Sequence, residues 1–242
     1  MSADFAAEPL AEDTLLLRFG RRVDAAINTR VHDAAMRLRA ASLPDVTEIA
    51  PAYASLLLRF DPIAWTDARD PDEAPHARLL AAVRQLLRDT HSFHNANATP
   101  AQTIEIPVCY GGDLGRDLED IAQHAGFDTA QVVARHTAAD YTVAMLGFAP
   151  GFPYLLGLDR ALRAPRRAAP RIRVPAGSVA IGGAQTGIYP RELPGGWNLI
   201  GRTPLVLFDV EREPPCLLAP GDRVRFRAID PEEFATLAAR AQ

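Results

Sequence analysis

Glycine and proline are crowded into one stretch of this chain, and the crowding limits its fold more than any other feature. Eleven of the 16 glycines and eleven of the 20 prolines fall between Gly147 and Gly221. Proline lacks a backbone donor and breaks helices; glycine weakens helix and strand interiors but permits tight turns. A long helix is therefore excluded there. The runs left in and beside that stretch are short and β-prone: YTVAMLGF, RIRVPAGSVAI, WNLIG, PLVLFD and DRVRFRAI. Many short strands separated by such turns predict a barrel or a sandwich.

The first hundred residues have a different grammar. A strand over 14–19 is followed by a helix over 23–41, whose apolar residues share one face. Strands at 46–50 and 53–60 flank a turn near Pro51, a helix runs over 75–88, and a strand covers 103–109. The order βαββαβ predicts a ferredoxin-like sandwich. The fold class expected is α+β, with a domain over 1–102 and a barrel domain over 103–242. At the head of the second domain, helices over 117–125 and 128–138 each open on an aspartate, and the first stops at Gly126. A last helix opens with Asp230 as N-cap, Pro231 and Glu233.

Composition excludes several chemistries. All 26 basic residues are arginine, so the chain has no Walker A lysine, no Schiff-base lysine and no covalent cofactor carried on a lysine. A net charge of −4 argues against nucleic acid and anionic membranes as partners. No apolar run approaches the ~20 residues needed to span a bilayer, and the acidic first residues do not resemble a signal peptide, so a cytoplasmic protein is expected. Cys109 and Cys216 read as buried thiols. His91 and His94 have metal-compatible spacing without a third ligand, and no metal site is expected.

Five segments between Ile106 and Phe226 carry a family resemblance: IPVCYGGDLGRDLEDIA, HTAADYTVAMLGFAPGFPYLLGLD, PRRAAPRIRVPAGSVAIGGAQTGIYP, PGGWNLIGRTPLVLFD and PPCLLAPGDRVRF. In order and spacing they resemble the family of 5-oxoprolinase B subunits, also called the kinase-inhibitor-like or allophanate hydrolase subunit 1 family. The resemblance implies a cyclophilin-like β-barrel behind an α/β domain. It implies partnership with subunits A and C, most directly the C-type carboxyltransferase chain, in opening the lactam 5-oxo-L-proline to L-glutamate. It implies magnesium-bound ATP at a site shared with a partner, and a chain inactive alone. The same family includes a histidine-kinase inhibitor and a segment of urea carboxylase, so both remain alternatives.

Particular residues suit such a site. Gln185 and Thr186, between glycines, offer donors and acceptors for a small amide or carboxylate. Tyr189, Trp197 and Asn198 add amphipathic walls and a second amide, and Arg202 adds a guanidinium fork. Phe148 and Phe152 lie on a loop stiffened by Pro150 and Pro153. His136 falls on the family's His-Thr position, where an imidazole can act as a base. His136, Gln185 and Arg202 are thus the catalytic candidates, and Phe148, Phe152, Thr186, Tyr189, Trp197 and Asn198 the substrate-binding ones. Arg166, Arg167 and Arg171 fit the family's PRR…PR pattern within a run of arginines without a neighbouring acid, and are the anion- or nucleotide-binding candidates. The same residues also suit barrel corners, a core tryptophan, a histidine at a helix end and a solvated loop.

Overall fold

The computed structural model describes residues 5–67, 69–70, 72–88 and 103–240. His91, His94 and the stretch 92–102 lie outside them. The chain divides into two compact units, Met1–Thr99 and Pro100–Gln242.

In the first unit, β1 (Ala6–Ala11), β2 (Thr14–Arg18), β3 (Val46–Pro51) and β4 (Ser55–Phe60) form an antiparallel sheet in the order β1-β2-β4-β3. Helix α1 (Ala25–Ala41) starts where the Asp24 carboxylate accepts from the Ala26 and Ile27 N–H groups. Helix α2 (Pro75–Arg88) follows β4. Alternate strand residues Leu15, Leu17, Leu56, Leu58 and Phe60 meet Val31, Ala35 and Leu38 of α1 and Leu79, Val83 and Leu87 of α2. The strand period of two and the helix period of 3.6 thus converge on one core.

The expected βαββαβ order is corrected here to ββαββα. The strand β5 (Thr103–Tyr110) is not part of this sheet, because its seven-residue parallel partner lies in the second unit. The vacant edge is filled by β1, whose Pro9 is tolerated because an edge strand has no outer ladder to donate to.

The second unit is a closed seven-stranded barrel, and the protein is a mixed α/β structure. After β5 come α3 (Leu118–Ala125), α4 (Thr129–Ala138), β6 (Tyr141–Leu146), β7 (Pro153–Leu156), β8 (Arg171–Val174), β9 (Ser178–Gly182), β10 (Gln185–Ile188), β11 (Leu193–Gly195), β12 (Asn198–Arg202), β13 (Arg223–Ile229) and α5 (Pro231–Arg240). The barrel runs β10-β7-β6-β13-β5-β12-β9 and closes from β9 back to β10; β8 and β11 form a separate ribbon. Only β5 and β13 pair in parallel within it. Ile106, Val108, Val143, Leu155, Val179, Ile181, Ile188, Ile200, Val224 and Phe226 bury the apolar interior.

Local signals explain the helices. Asp128 forms a full capping box with Gln131, and Gly126 ends α3 in the left-handed region. Asp230 accepts from the Glu233 N–H, whereas the Glu233 carboxylate turns to Arg227. Asp117 is the N-cap of α3 and its carbonyl accepts from the Ile121 N–H at 3.0 Å, but its side chain makes no cap bond among the described residues. Cys109 is buried and Cys216 half-buried, both as free thiols; burial raises the Cys109 thiol, and Asp230 adds to it. No described helix is long and apolar enough to cross a membrane.

Candidate functional site

An aromatic cleft of about 200 Å³ opens on the barrel unit. Its first wall is the loop between β6 and β7. There the Ala149 N–H donates to the Gly147 carbonyl at 2.8 Å and the Phe152 N–H to the Ala149 carbonyl at 3.0 Å. The resulting turn holds Phe148 at φ 68°, a left-handed conformation that costs a bulky residue about 1–3 kcal/mol. Phe148 is left 60% exposed, at the rim.

Phe152, buried, is the hub beneath. Its ring centroid lies 5.4 Å from Phe148, 4.9 Å from Tyr154, 5.2 Å from Tyr189 and 5.7 Å from Trp197. Three of these pairs are edge-to-face, the arrangement favoured by ring quadrupoles. Trp197 lies flat against β9, where a Cβ on Gly182 would stand 2.5 Å from the indole; glycine is needed for that approach. Burial raises the Tyr189 phenol, and the Trp197 backbone N–H bonded to its oxygen partly offsets this.

The polar side of the cleft is arginine. The Arg166 guanidinium stands 5.7 Å from the Trp197 ring centroid and pairs with no carboxylate among the described residues. Arg167 lines the same cleft, and its buried Nε has no hydrogen-bond partner among the described residues. Apolar walls with one exposed guanidinium suit a small, partly apolar anion.

Arg167 and Arg171 are not without an acid. Both reach the buried Asp117 carboxylate: Arg167 Nη1 donates at 2.8 Å, and Arg171 Nη1 and Nη2 donate at 2.9 and 2.7 Å. The Leu199 N–H completes the set at 2.7 Å. This refines one expectation and corrects another: Asp117 stands at the N-cap of α3, but its side chain is spent on the arginines instead of on the helix, and the arginine run does have an acidic partner, distant in sequence. One carboxylate faces two guanidiniums, so the knot retains surplus positive charge.

His136 lies inside the barrel, fully buried and outside the cleft lining. The Thr186 hydroxyl donates to the Ala180 carbonyl at 3.0 Å, so it accepts from His136 Nε2 at 3.1 Å. Nδ1 then accepts from the Tyr110 hydroxyl at 2.8 Å. Both nitrogens are occupied, and burial lowers the imidazole to about 3, keeping it neutral.

Of the residues expected at one site, Phe148, Phe152, Tyr189, Trp197, Arg166 and Arg167 do meet at the cleft. Thr186 belongs with His136 in the interior. Asn198 is spent as a strut, its amide donating to the Pro165 and Ile181 carbonyls. Gln185 and Arg202 are not brought together. On β9 their partners are Gly182 and Ser178, four residues apart, or about 13 Å along the strand. Arg202 instead lines a different hollow with Arg171. Asp117 and Tyr110 were missed. An arginine run lacking any local counter-charge was the signal that a distant buried acid must exist.

The family described as carboxyltransferase domain, subdomain C and D, matches residues 5–218. The 5-oxoprolinase B subunit of Bacillus subtilis (strain 168) is 38% identical over 235 residues, 97% of this chain and 97% of that protein. The 5-oxoprolinase B subunit of Escherichia coli O157:H7 is 42% identical over 217 residues, 90% of this chain and 93% of that one. The crystal structure of TTHA0988 superposes with a TM-score of 0.75 at 40% identity, covering 90% of this chain and 40% of that one. This chain therefore spans less than half the length of that solved chain.

Proposed function

This chain belongs to the carboxyltransferase subdomain C and D family, and on that premise we propose that it is the B subunit of an ATP-dependent 5-oxoprolinase, opening 5-oxo-L-proline to L-glutamate with subunits A and C. The observation that carries the reading is the match to two 5-oxoprolinase B subunits over nine-tenths or more of both chains. The cleft agrees in scale. At about 200 Å³ it lies below the ~300–1,000 Å³ of pockets for drug-sized ligands, as a single small lactam requires.

In this reading the ring methylenes of the lactam lie on Phe152, Tyr189 and Trp197, and its carboxylate meets Arg166. Phe148 closes the rim. His136, neutral and doubly bonded, braces the barrel behind the site and does not exchange protons with substrate. An unstrained lactam needs its carbonyl activated, which ATP supplies by phosphorylation when bound. The donor set here fits only part of that nucleotide: guanidiniums for phosphate, but no lysine and no Walker loop. We assign the rest of ATP to a partner chain, most directly the C-type carboxyltransferase chain. A cyclophilin-like designation for the barrel, domains over 1–102 and 103–242 and a cytoplasmic location belong to the same proposal.

Reconstitution tests it. ATP-dependent glutamate release from 5-oxoproline is expected from this chain with subunits A and C, and none from this chain alone. Phe148→Ala, at an exposed side chain, should leave folding unchanged and lower kcat/KM of the assembly. Turnover by the isolated chain, or no gain when it is added to the other two, refutes the reading.

A further inference from the structure

Apart from the aromatic cleft, a hollow of about 90 Å³ opens where the loop following β5 crosses β12. That loop is fixed in place. The Gly111 and Asp117 N–H groups donate to the Ile200 and Leu199 carbonyls at 3.1 and 2.8 Å. Gly115 lies so close that a Cβ there would stand 2.2 Å from the Ile200 oxygen. The loop therefore presents Arg116 to the hollow, beside Arg171, Arg173 and Arg202, with Asp113 and Ser178 also in the wall.

The four guanidiniums are unequally engaged. Arg171 is set by its two bonds to the buried Asp117, which also serves Arg167. Arg202 is anchored by Nε donating to the Ala176 carbonyl at 2.6 Å, and its two Nη groups have no partner among the described residues. Arg116 makes no ion pair or side-chain hydrogen bond among them. Arg173 has only the exposed Glu192, at 3.6 Å. Asp113 is the one carboxylate in the wall among the described residues; behind it Asp117 engages Arg171 and Glu192 engages Arg173, which leaves Arg116 and the Arg202 Nη groups without a counter-charge. Like charges gathered in one hollow repel unless an anion neutralises them. Guanidinium forks match the oxygens of phosphate, and the Ser178 hydroxyl adds a donor.

We propose that this hollow binds a phosphate-class oxyanion, either free inorganic phosphate or the terminal phosphoryl group of a nucleotide. The inference does not rest on the 5-oxoprolinase reading, and it places the anion at Arg116, Arg171 and Arg202 rather than in the aromatic cleft.

Calorimetric titration of the full chain with inorganic phosphate tests it directly. Saturable binding is expected, weakened about tenfold by Arg116→Ala and by Arg202→Ala, and tightened severalfold by Asp113→Asn. Arg116 is exposed and unpaired, so its loss leaves the fold intact, and the Asp113 variant moves affinity the opposite way. A parallel titration with ATP distinguishes the sources: ATP binding with the same arginine dependence points to a nucleotide, and phosphate binding without it points to the free ion. Either supports the site. No saturable binding up to about 10 mM phosphate, acetate binding as tightly, or unchanged affinity in both arginine variants overturns it. Reconstituted turnover is read separately, so failure here leaves the functional reading standing.

Discussion

Replacing Asp117 with alanine should destabilise the barrel unit while sparing the first unit. The Asp117 side chain is 2% exposed and accepts four hydrogen bonds, three from guanidinium N–H groups and one from the Leu199 backbone. Removing one partner of a buried ion pair costs about 3–5 kcal/mol. The two arginine side chains are 34% and 23% exposed, so each can turn partly to water, which moves the loss to the lower end. The Leu199 N–H cannot do so; it sits in the barrel wall and loses its carboxylate acceptor. About 3 kcal/mol is expected. With a urea m-value of ~2 kcal/mol/M the midpoint should fall by about 1.5 M. Trp65 lies in the first unit and Trp197 in the second, so in a Trp65→Phe background the fluorescence transition reports the barrel alone. Asp117→Asn, which keeps one oxygen, should lose about half as much. Glu119→Ala, at an exposed acid in the first turn of α3, should stay within about 0.5 kcal/mol. A midpoint shift below about 0.5 M for Asp117→Ala refutes the argument that this carboxylate ties the arginine segment to β12.

Two further outcomes are expected. His136 titrates at about 3 when folded and near 6.5 when unfolded, so between those values the unfolded chain binds the extra proton. Stability from this group is complete above pH 6.5 and falls as pH drops toward 3, by up to ~1.4 kcal/mol per pH unit. His136→Gln should flatten the melting-temperature profile between pH 6.5 and 5, before most carboxylates titrate; an unchanged slope contradicts it. Gly182→Ala would put a methyl 2.5 Å from the Trp197 ring, costing about 1–3 kcal/mol and shifting Trp197 emission; wild-type emission and stability would mean the indole does not lie there.

Local signals were readable in the sequence, and distant pairings were not. Gly126, Asp128 and Asp230 mark helix ends through bonds spanning three or four residues, and each lies where its pattern indicates. The aromatic loop was visible for the same reason, since Phe148, Phe152 and Tyr154 are close in the chain. The Asp117 knot joins residues 50 and 54 positions apart, and no local pattern separates such an anchor from a helix cap. Strand 103–109 has sound local propensity. Counting it as the last strand of the βαββαβ order failed because its partner is Arg223–Ile229, more than a hundred residues on. β1 escaped notice because AAEPLA contains a proline and an acid and lacks β-branched and aromatic residues, so its strand propensity is weak. Gln185 and Arg202 were joined on chemical suitability alone, and the register of β9 separates them.

The parallel pairing of β5 with β13 has a consequence for synthesis. The strand that opens the barrel must wait for the one that closes it, and that one is made last of the seven. The first unit, whose described sheet and helices end at residue 88, can assemble while the ribosome is still working. Until residue 229 emerges, Ile106, Val108 and the other interior side chains have no finished enclosure, which makes the nascent second unit the segment most in need of chaperone protection.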